Sequence, residues 1–315
     1  MKNNINRINN YKNIAKEFKE EGQLLKALKF YKKAYNLEGG EKNIELLLDM
    51  ALFFDELGDI QESEGKYNEA ISVDPYESRA YYGLAVLYDD KGDHLKAIEY
   101  YNKAIEIDPY YDRAYFFLAN VYDEIGDKEK AASLYQKVIE LNEYDFWSYI
   151  NLGSIYEDMD KNELALEMME KGLELAPNHY IAVFNKGVIY KKLGDIEKAK
   201  QFYQASIKEN SYYPYSFLNL SIIYKEQRKY KKALEIISEG ITHNDDTSVL
   251  YYNRACFYVH LEEIERALRD IIKATELSPS LAEYVKKDEE LDPIKELEAY
   301  KIMFGDHIRD EKEEK

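Results

Sequence analysis

SRAYYGLAVLYDDKGDHLKAIEYYNKAIEIDPYY, residues 78–111, runs without a gap into DRAYFFLANVYDEIGDKEKAASLYQKVIELNEYD, residues 112–145. The two stretches align letter against letter at a period of 34. Carried outward, the frame starts again at 8, 44, 146, 180, 214 and 248. Only the first step departs from the period, being 36 because Gly39-Gly40 lies in a two-residue insertion. A fixed period of this size means that one supersecondary unit is repeated, and it has to be read before any local pattern.

Within the frame, the eighth position is always Ala, Gly or Ser, from Ala15 to Ala255, and the twentieth is Ala or Ser, from Ala27 to Ala267. The twenty-seventh is small except at Val138. The eleventh is aromatic every time: Phe18, Phe54, Tyr88, Tyr122, Tyr156, Tyr190, Tyr224 and Tyr258. The twenty-fourth is Tyr31, Tyr67, Tyr101, Tyr135 and Tyr203, with Met169, Ile237 and Ile271 elsewhere. Positions 4, 7, 8 and 11 share a face of one helix, and 20, 24 and 27 share a face of a second. Gly58, Gly92, Gly126 and Gly194, each followed by Asp, stand where the first helix must end in a left-handed residue. Pro75, Pro109, Pro177 and Pro279 close the second helix. Small residues let the two helices approach, and aromatics fill the space between them. A single hairpin cannot bury its apolar face, so neighbours must stack. Sixteen of the 31 tyrosines fall at positions 4, 11 and 24, so the unusual tyrosine content is largely a repeated core.

This pattern resembles the tetratricopeptide repeat family, over about residues 8–281. The resemblance implies an all-α fold, a right-handed α-solenoid (superhelix) of eight helix-turn-helix repeats with a ligand-binding groove. Residues 1–7 form an N-terminal lead. Residues 282–304 read as a capping helix, a turn at Asp292-Pro293 and a second short helix, and 305–315 as a charged tail expected to fray. Departures from the pattern are local. Glu143, Ser211 and Asp245 replace the closing proline, which leaves the turns there open, and Lys186 and Arg254 replace an apolar seventh residue.

In the family, positions 2, 5, 6, 9, 12 and 13 of the first helix line the groove. Position 6 is Asn151, Asn185, Asn219 and Asn253 in four consecutive repeats. Asparagine is a mediocre residue for a helix interior. Its carboxamide carries both donor and acceptor and can grip the N–H and C=O of an extended peptide regardless of sequence. Either these asparagines form a peptide-holding ladder, or they reflect the chain's general richness in Asn. At position 5 stand Tyr82, Phe116, Ile150, Phe184, Leu218 and Tyr252, and at position 2 of the fifth repeat stands Trp147, the single tryptophan. Phe184, Tyr252 and Trp147 are the candidate apolar anchors. Positions 12 and 13 hold Asp55-Glu56, Asp89-Asp90, Asp123-Glu124 and Glu157-Asp158. They sit at helix C-termini, where the dipole disfavours negative charge, so helix stability does not account for them. The stripe reads as a solvated acidic face or as a surface for a partner with a basic segment, bound less tightly as salt rises.

The net charge of −18 argues against nucleic acid or an anionic membrane as the main partner. The start, MKNNINRINN, has no apolar run of the signal-peptide kind, and Cys256 alone allows no internal disulfide; both suit a cytoplasmic protein. His94, His179, His243, His260 and His307 show no metal-ligand spacing, and no cofactor is expected. Cys256 has no neighbouring His–Asn pair and reads as a small apolar filler. No phosphate loop or nucleophile elbow is present. The expectation is a non-enzymatic peptide- or protein-binding scaffold, with a regulatory receptor for a short signalling peptide as the alternative. Oligomeric state is not legible.

Overall fold

The computed structural model describes residues 2–304, and every regular element among them is helical. Helices α1 (Lys2–Glu20), α2 (Leu24–Tyr35), α3 (Ile44–Glu56), α4 (Ile60–Val73), α5 (Ser78–Asp90), α6 (His94–Ile107), α7 (Asp112–Glu124), α8 (Lys128–Leu141) and α9 (Phe146–Asp158) build the first of two compact units, Met1–Met159. The second unit, Asp160–Lys315, contains α10 (Asn162–Leu175), α11 (Tyr180–Lys192), α12 (Ile196–Glu209), α13 (Pro214–Glu226), α14 (Tyr230–His243), α15 (Ser248–His260) and α16 (Ile264–Leu277). The cap follows as α17 (Leu281–Lys287), a 3₁₀ turn over Glu289–Leu291, α18 (Asp292–Lys295) and α19 (Glu298–Phe304). In the first unit α1 packs on α2, α3 on α4, α5 on α6 and α7 on α8, and α8 also packs on α9. In the second, α10 packs on α11, and the hairpins α11–α12, α13–α14 and α15–α16 follow. The all-α, repeat-built expectation holds.

The turn chemistry explains the regularity. Position 15 of the frame has positive φ in all eight repeats: Gly22, Gly58, Gly92, Gly126 and Gly194, but also Asp160, Arg228 and Glu262 at φ 58, 59 and 60°. After four of these glycines, Asp59, Asp93, Asp127 and Asp195 cap the next helix, each accepting from the backbone N–H three residues on. At the other end of the repeat, two joints make the same turn bond without the closing proline. Asp74 and Asp108, which precede a proline, accept from the N–H two residues on at 2.9 and 3.0 Å. Asn142 and Asn210, which do not, make the same bond at 3.2 and 2.9 Å. At these four joints the Asx side chain at position 31 makes the turn bond, with Glu143 and Ser211 as with proline, whereas Ala176 and Ser278, which are not Asx, are followed by Pro177 and Pro279. Asn244 instead donates to the Ser211 and Gly240 carbonyls.

Ala27, Ala97, Ala131, Ala165, Ala199, Ala233 and Ala267 are wholly buried, as are Tyr101 and Tyr203 at the aromatic positions between the helices. The fit is close: a Cβ added at Gly187 would stand 2.7 Å from the Tyr203 ring. Both position-7 departures find partners. The Arg254 guanidinium holds Asp270 through two bonds of 2.6 and 2.8 Å, and Lys186 pairs with Glu170 at 3.2 Å above the Phe202 ring.

Two details differ from the sequence reading. Residues 2–7, set apart as a lead, are continuous with α1, and Ile8 is buried. Asp292-Pro293 does not separate two helices but opens α18, where proline suits the first turn. The cap buries Val285, Leu291 and Ile294 completely and Tyr300 nearly so, against the core of α15 and α16. The tail 305–315, with His307, lies outside the described residues.

Candidate functional site

In the first unit, the stripe at positions 2, 5, 6, 9 and 12 lines a cavity of about 330 Å³. Glu45, Leu48, Asp49, Leu52 and Asp55 come from α3, and Arg79, Tyr82, Gly83 and Val86 from α5. Arg113 of α7, Tyr67 and Tyr111 also line it. Arg79 is held by Glu45 and Glu77, each at 2.7 Å, and Asp49 takes Lys16 at 2.9 Å. The Arg113 guanidinium lies 5.6 Å from the centre of the Tyr82 ring. A neighbouring cavity of about 240 Å³ is walled by Arg113, Phe116, Phe117, Val138 and Trp147. Trp147 is 45% exposed and meets Phe146 edge-on, so the tryptophan does stand at an accessible, aromatic-walled hollow.

The asparagines do not share one environment. Asn151 of α9 donates to the Tyr135 hydroxyl at 3.1 Å, and that hydroxyl donates in turn to Asn120. It is therefore engaged inside the first unit. Asn185, Asn219 and Asn253 stand half-buried on α11, α13 and α15 of the second unit. Asn219 and Asn253 each donate to the carbonyl four residues back, Tyr215 and Val249, at 3.0 and 2.9 Å. That bond uses one N–H of an amide that carries two, along with its acceptor oxygen.

At position 5, Ile150 and Leu218 are core residues. Phe184 is half-buried, packed against Tyr203 and Tyr213. Tyr252 is spoken for by the cap: its hydroxyl donates to Asp288 and its ring meets Tyr284. Burial and that hydrogen bond raise its pKa.

The acidic stripe is partly neutralised within the chain. Lys128 bridges Asp123 and Asp158 at 2.6 and 2.8 Å, and Lys19 reaches Glu56 at 2.6 Å. Asp89, Asp90 and Glu124 lie close together. Burial, then the Glu124 charge, hold Asp89 above the usual carboxylate range. Burial, then Asp90, do the same to Asp55. Lysines at the same phase in the second unit are also paired, Lys191 with Glu226 at 2.8 Å and Lys225 with Glu290 at 2.6 Å. Two trios, Asp89–His94–Glu124 and Cys256–Asp288–Glu290, place possible ligand atoms within 4.8 Å of one another, a convergence that spacing along the chain does not reveal. In the second trio the carboxylates already hold Tyr252, Lys225 and His260. Burial pushes the Cys256 thiol up to about 12, far from a thiolate at neutral pH.

The sequence reading missed the position-24 tyrosines as part of this surface. Their rings are core, but their hydroxyls reach the stripe: Tyr101 meets Asp89 at 3.4 Å, and Tyr135 joins Asn120 to Asn151. The signal was available, since this position carries tyrosine five times and phenylalanine never.

Comparison with protein families places tetratricopeptide repeats at residues 78–111, 112–145, 148–179, 181–213 and 249–281, just over half of the chain. The chain belongs to the tetratricopeptide repeat family. No curated protein sequence matches it. A tetratricopeptide repeat protein from Parabacteroides merdae superposes with a TM-score of 0.65 at 21% identity, covering 79% of this chain and 97% of its own. The crystal structure of MamA matches at 0.50 and 25% identity, covering 54% and 92%. That of YrrB, a tetratricopeptide repeat protein with an unusual peptide-binding site, matches at 0.50 and 22%, covering 57% and 92%. At these identities the likeness to the Parabacteroides protein and YrrB is one of fold. Among the described residues no helix is long and apolar enough to cross a membrane.

Proposed function

We propose that this tetratricopeptide repeat chain is a non-enzymatic scaffold that holds an extended segment of another protein. Protein interaction is the general role of the family, and YrrB, a structural neighbour, is described by its peptide-binding site. The observation that carries the reading is the pair of cavities in the first unit, both walled by the stripe of positions 2 and 5 and joined at Arg113. Side-chain pockets that repeat along a helical array suit alternating anchors of an extended chain. Trp147, with Phe116, supplies the apolar anchor. Asp89, Asp90, Asp123, Glu124, Glu157 and Asp158 supply the acidic field that favours a partner with a basic segment. In the second unit, Asn185, Asn219 and Asn253 each offer an amide to a peptide backbone, and Phe184 offers a contact beside them. Asn151 and Tyr252 contribute through the fold rather than by direct contact. The single buried cysteine fits a cytoplasmic setting.

Replacing Asn185, Asn219 and Asn253 together by Ala is expected to weaken capture of the native partner while leaving helicity by circular dichroism unchanged. At about 0.5–1.5 kcal/mol per hydrogen bond, three losses correspond to tenfold or more in Kd. Trp147→Ala, compared with wild type in a pull-down from the source cells, is expected to lose the same partner. Full retention of one partner by both variants would remove the basis of the reading.

A further inference from the structure

Tyr67 is 3% exposed, yet it lines the cavity between α3 and α5. Its ring reaches that wall because Gly83 leaves room, and a Cβ there would stand 2.2 Å from the ring and 2.7 Å from the hydroxyl. The equivalent hydroxyls of Tyr101 and Tyr135 are bonded to Asp89 and to Asn120 and Asn151. The Tyr67 hydroxyl makes no hydrogen bond among the described residues, although a buried phenol usually finds a partner. Beside it stands Asp55, half-buried, whose carboxylate forms neither a hydrogen bond nor an ion pair among the described residues, with Asp90 adding a second negative charge. The apolar part of the wall is Leu48, Leu52, 50% exposed, and Val86 with the rings of Tyr82 and Tyr111, and Glu45, Asp49, Arg79 and Arg113 make up its charged part. Of the two guanidinium groups that line the cavity, that of Arg79 is held by Glu45 and Glu77. The Tyr82 ring also has a guanidinium, that of Arg113, laid against it, so these rings already accommodate a cation.

An apolar strip of wall, Leu52 and Val86, beside an unmatched carboxylate and an open phenol suits a long aliphatic stem with a cationic head. We infer that this cavity takes the side chain of a lysine or arginine presented by the bound segment, its stem along Leu52 and Val86 and its head donating to Asp55 and the Tyr67 hydroxyl. The inference rests on the peptide-holding role proposed above and adds which side chain is read, and where. Arg113, which has no ion-pair partner among the described residues, then faces carbonyls of the segment on the way to the hollow at Trp147.

The test is selection of a phage-displayed random dodecapeptide library on the full-length chain. Wild type is expected to enrich lysine or arginine several-fold at one position relative to an apolar residue. Asp55→Asn, which preserves shape and folding, is expected to lose the basic preference while still recovering peptides. For one recovered peptide, replacing the basic residue by norleucine should cost about tenfold in Kd on wild type, roughly 1.4 kcal/mol. The same replacement should cost nothing further on Asp55→Asn, and Tyr67→Phe should give an intermediate loss. Peptides recovered without a basic preference, or with a preference that survives Asp55→Asn, overturn this inference alone. Selection of acidic residues instead would mean that Arg113 dictates the charge, and overturns it too. Recovery of no peptide above background overturns the peptide-holding reading and this inference with it.

Discussion

Arg254 stands at position 7, where the repeat calls for an apolar side chain, and it is tolerated because Asp270 on α16 meets its guanidinium with two bonds of 2.6 and 2.8 Å. Their side chains are 18% and 10% exposed, so neither charge can turn to water if the other is lost. Asp270→Ala is expected to destabilise by about 3–5 kcal/mol, because it strands a desolvated guanidinium. Arg254→Met with Asp270→Leu should return close to wild type, because two shape-matched apolar side chains leave no charge unpaired and Ser238 loses only a long bond of 3.4 Å. Urea denaturation followed at α-helical wavelengths compares them. Equal losses in the single and double variants would show that shape, not stranded charge, sets the cost. Such pairs mark the limit of what one residue says in a sequence. Arg254 is visible as a departure, but Asp270 is 16 residues away and reads as one more exposed acid. The exposure of Trp147 was legible, because position 2 lies near the helix start and seldom falls in the core. Asn151 was not separable from its three phase-mates, because what distinguishes it is the Tyr135 hydroxyl from a different helix.

Helix hairpins were the most legible level, because the 34-residue period fixes the faces of both helices eight times over. What the period hides is the price in conformation at three turns. Asp160, Arg228 and Glu262 hold the left-handed geometry that glycine holds in the other five repeats. An L-residue there costs about 1–2 kcal/mol, and glycine returns part of that gain as unfolded-state entropy, up to about 1 kcal/mol. Arg228→Gly and Glu262→Gly are each expected to stabilise by a few tenths to about 1 kcal/mol, seen as a raised urea midpoint with an unchanged slope. Gly92→Ala, at φ 72°, should move the midpoint down by a comparable or larger amount. A fall in the midpoint for Glu262→Gly would mean that the glutamate is held by contacts that outweigh the strain. At the joints that lack the closing proline, Asn142 and Asn210 keep the turn through their bonds to the amides of Tyr144 and Tyr212, a role that only the structure reveals.

A stacked-repeat protein contacts only its neighbours, so its stability is a sum along the chain and damage at one end stays local. The need for a cap after the eighth repeat follows from sequence, since α16 would otherwise expose an apolar face. How the cap does it does not, because Asp288 and Glu290 reach back 36 and 65 residues to Tyr252 and Lys225, and Glu290 also to His260 at 2.7 Å. Those three partners sit at phases 5, 12 and 13 of the stripe, so the cap covers surface that the repeat pattern alone would leave open to a ligand. Val285, Leu291 and Ile294 are wholly buried in the same contact. At roughly 1.5–3 kcal/mol for each such side chain, the cap contributes several kcal/mol to the repeat beneath it. It is thus a fixed wall rather than a displaceable occupant. A chain ending at residue 281 is expected to lose amide-exchange protection throughout α15 and α16, with α5 to α8 unchanged within a few tenths of a kcal/mol. Hydrogen exchange read by mass spectrometry on peptides from each helix measures this directly. Loss of protection spread evenly over both units would show that the array unfolds as one cooperative block, and protection retained in α16 would show that the cap is not what shields its apolar face.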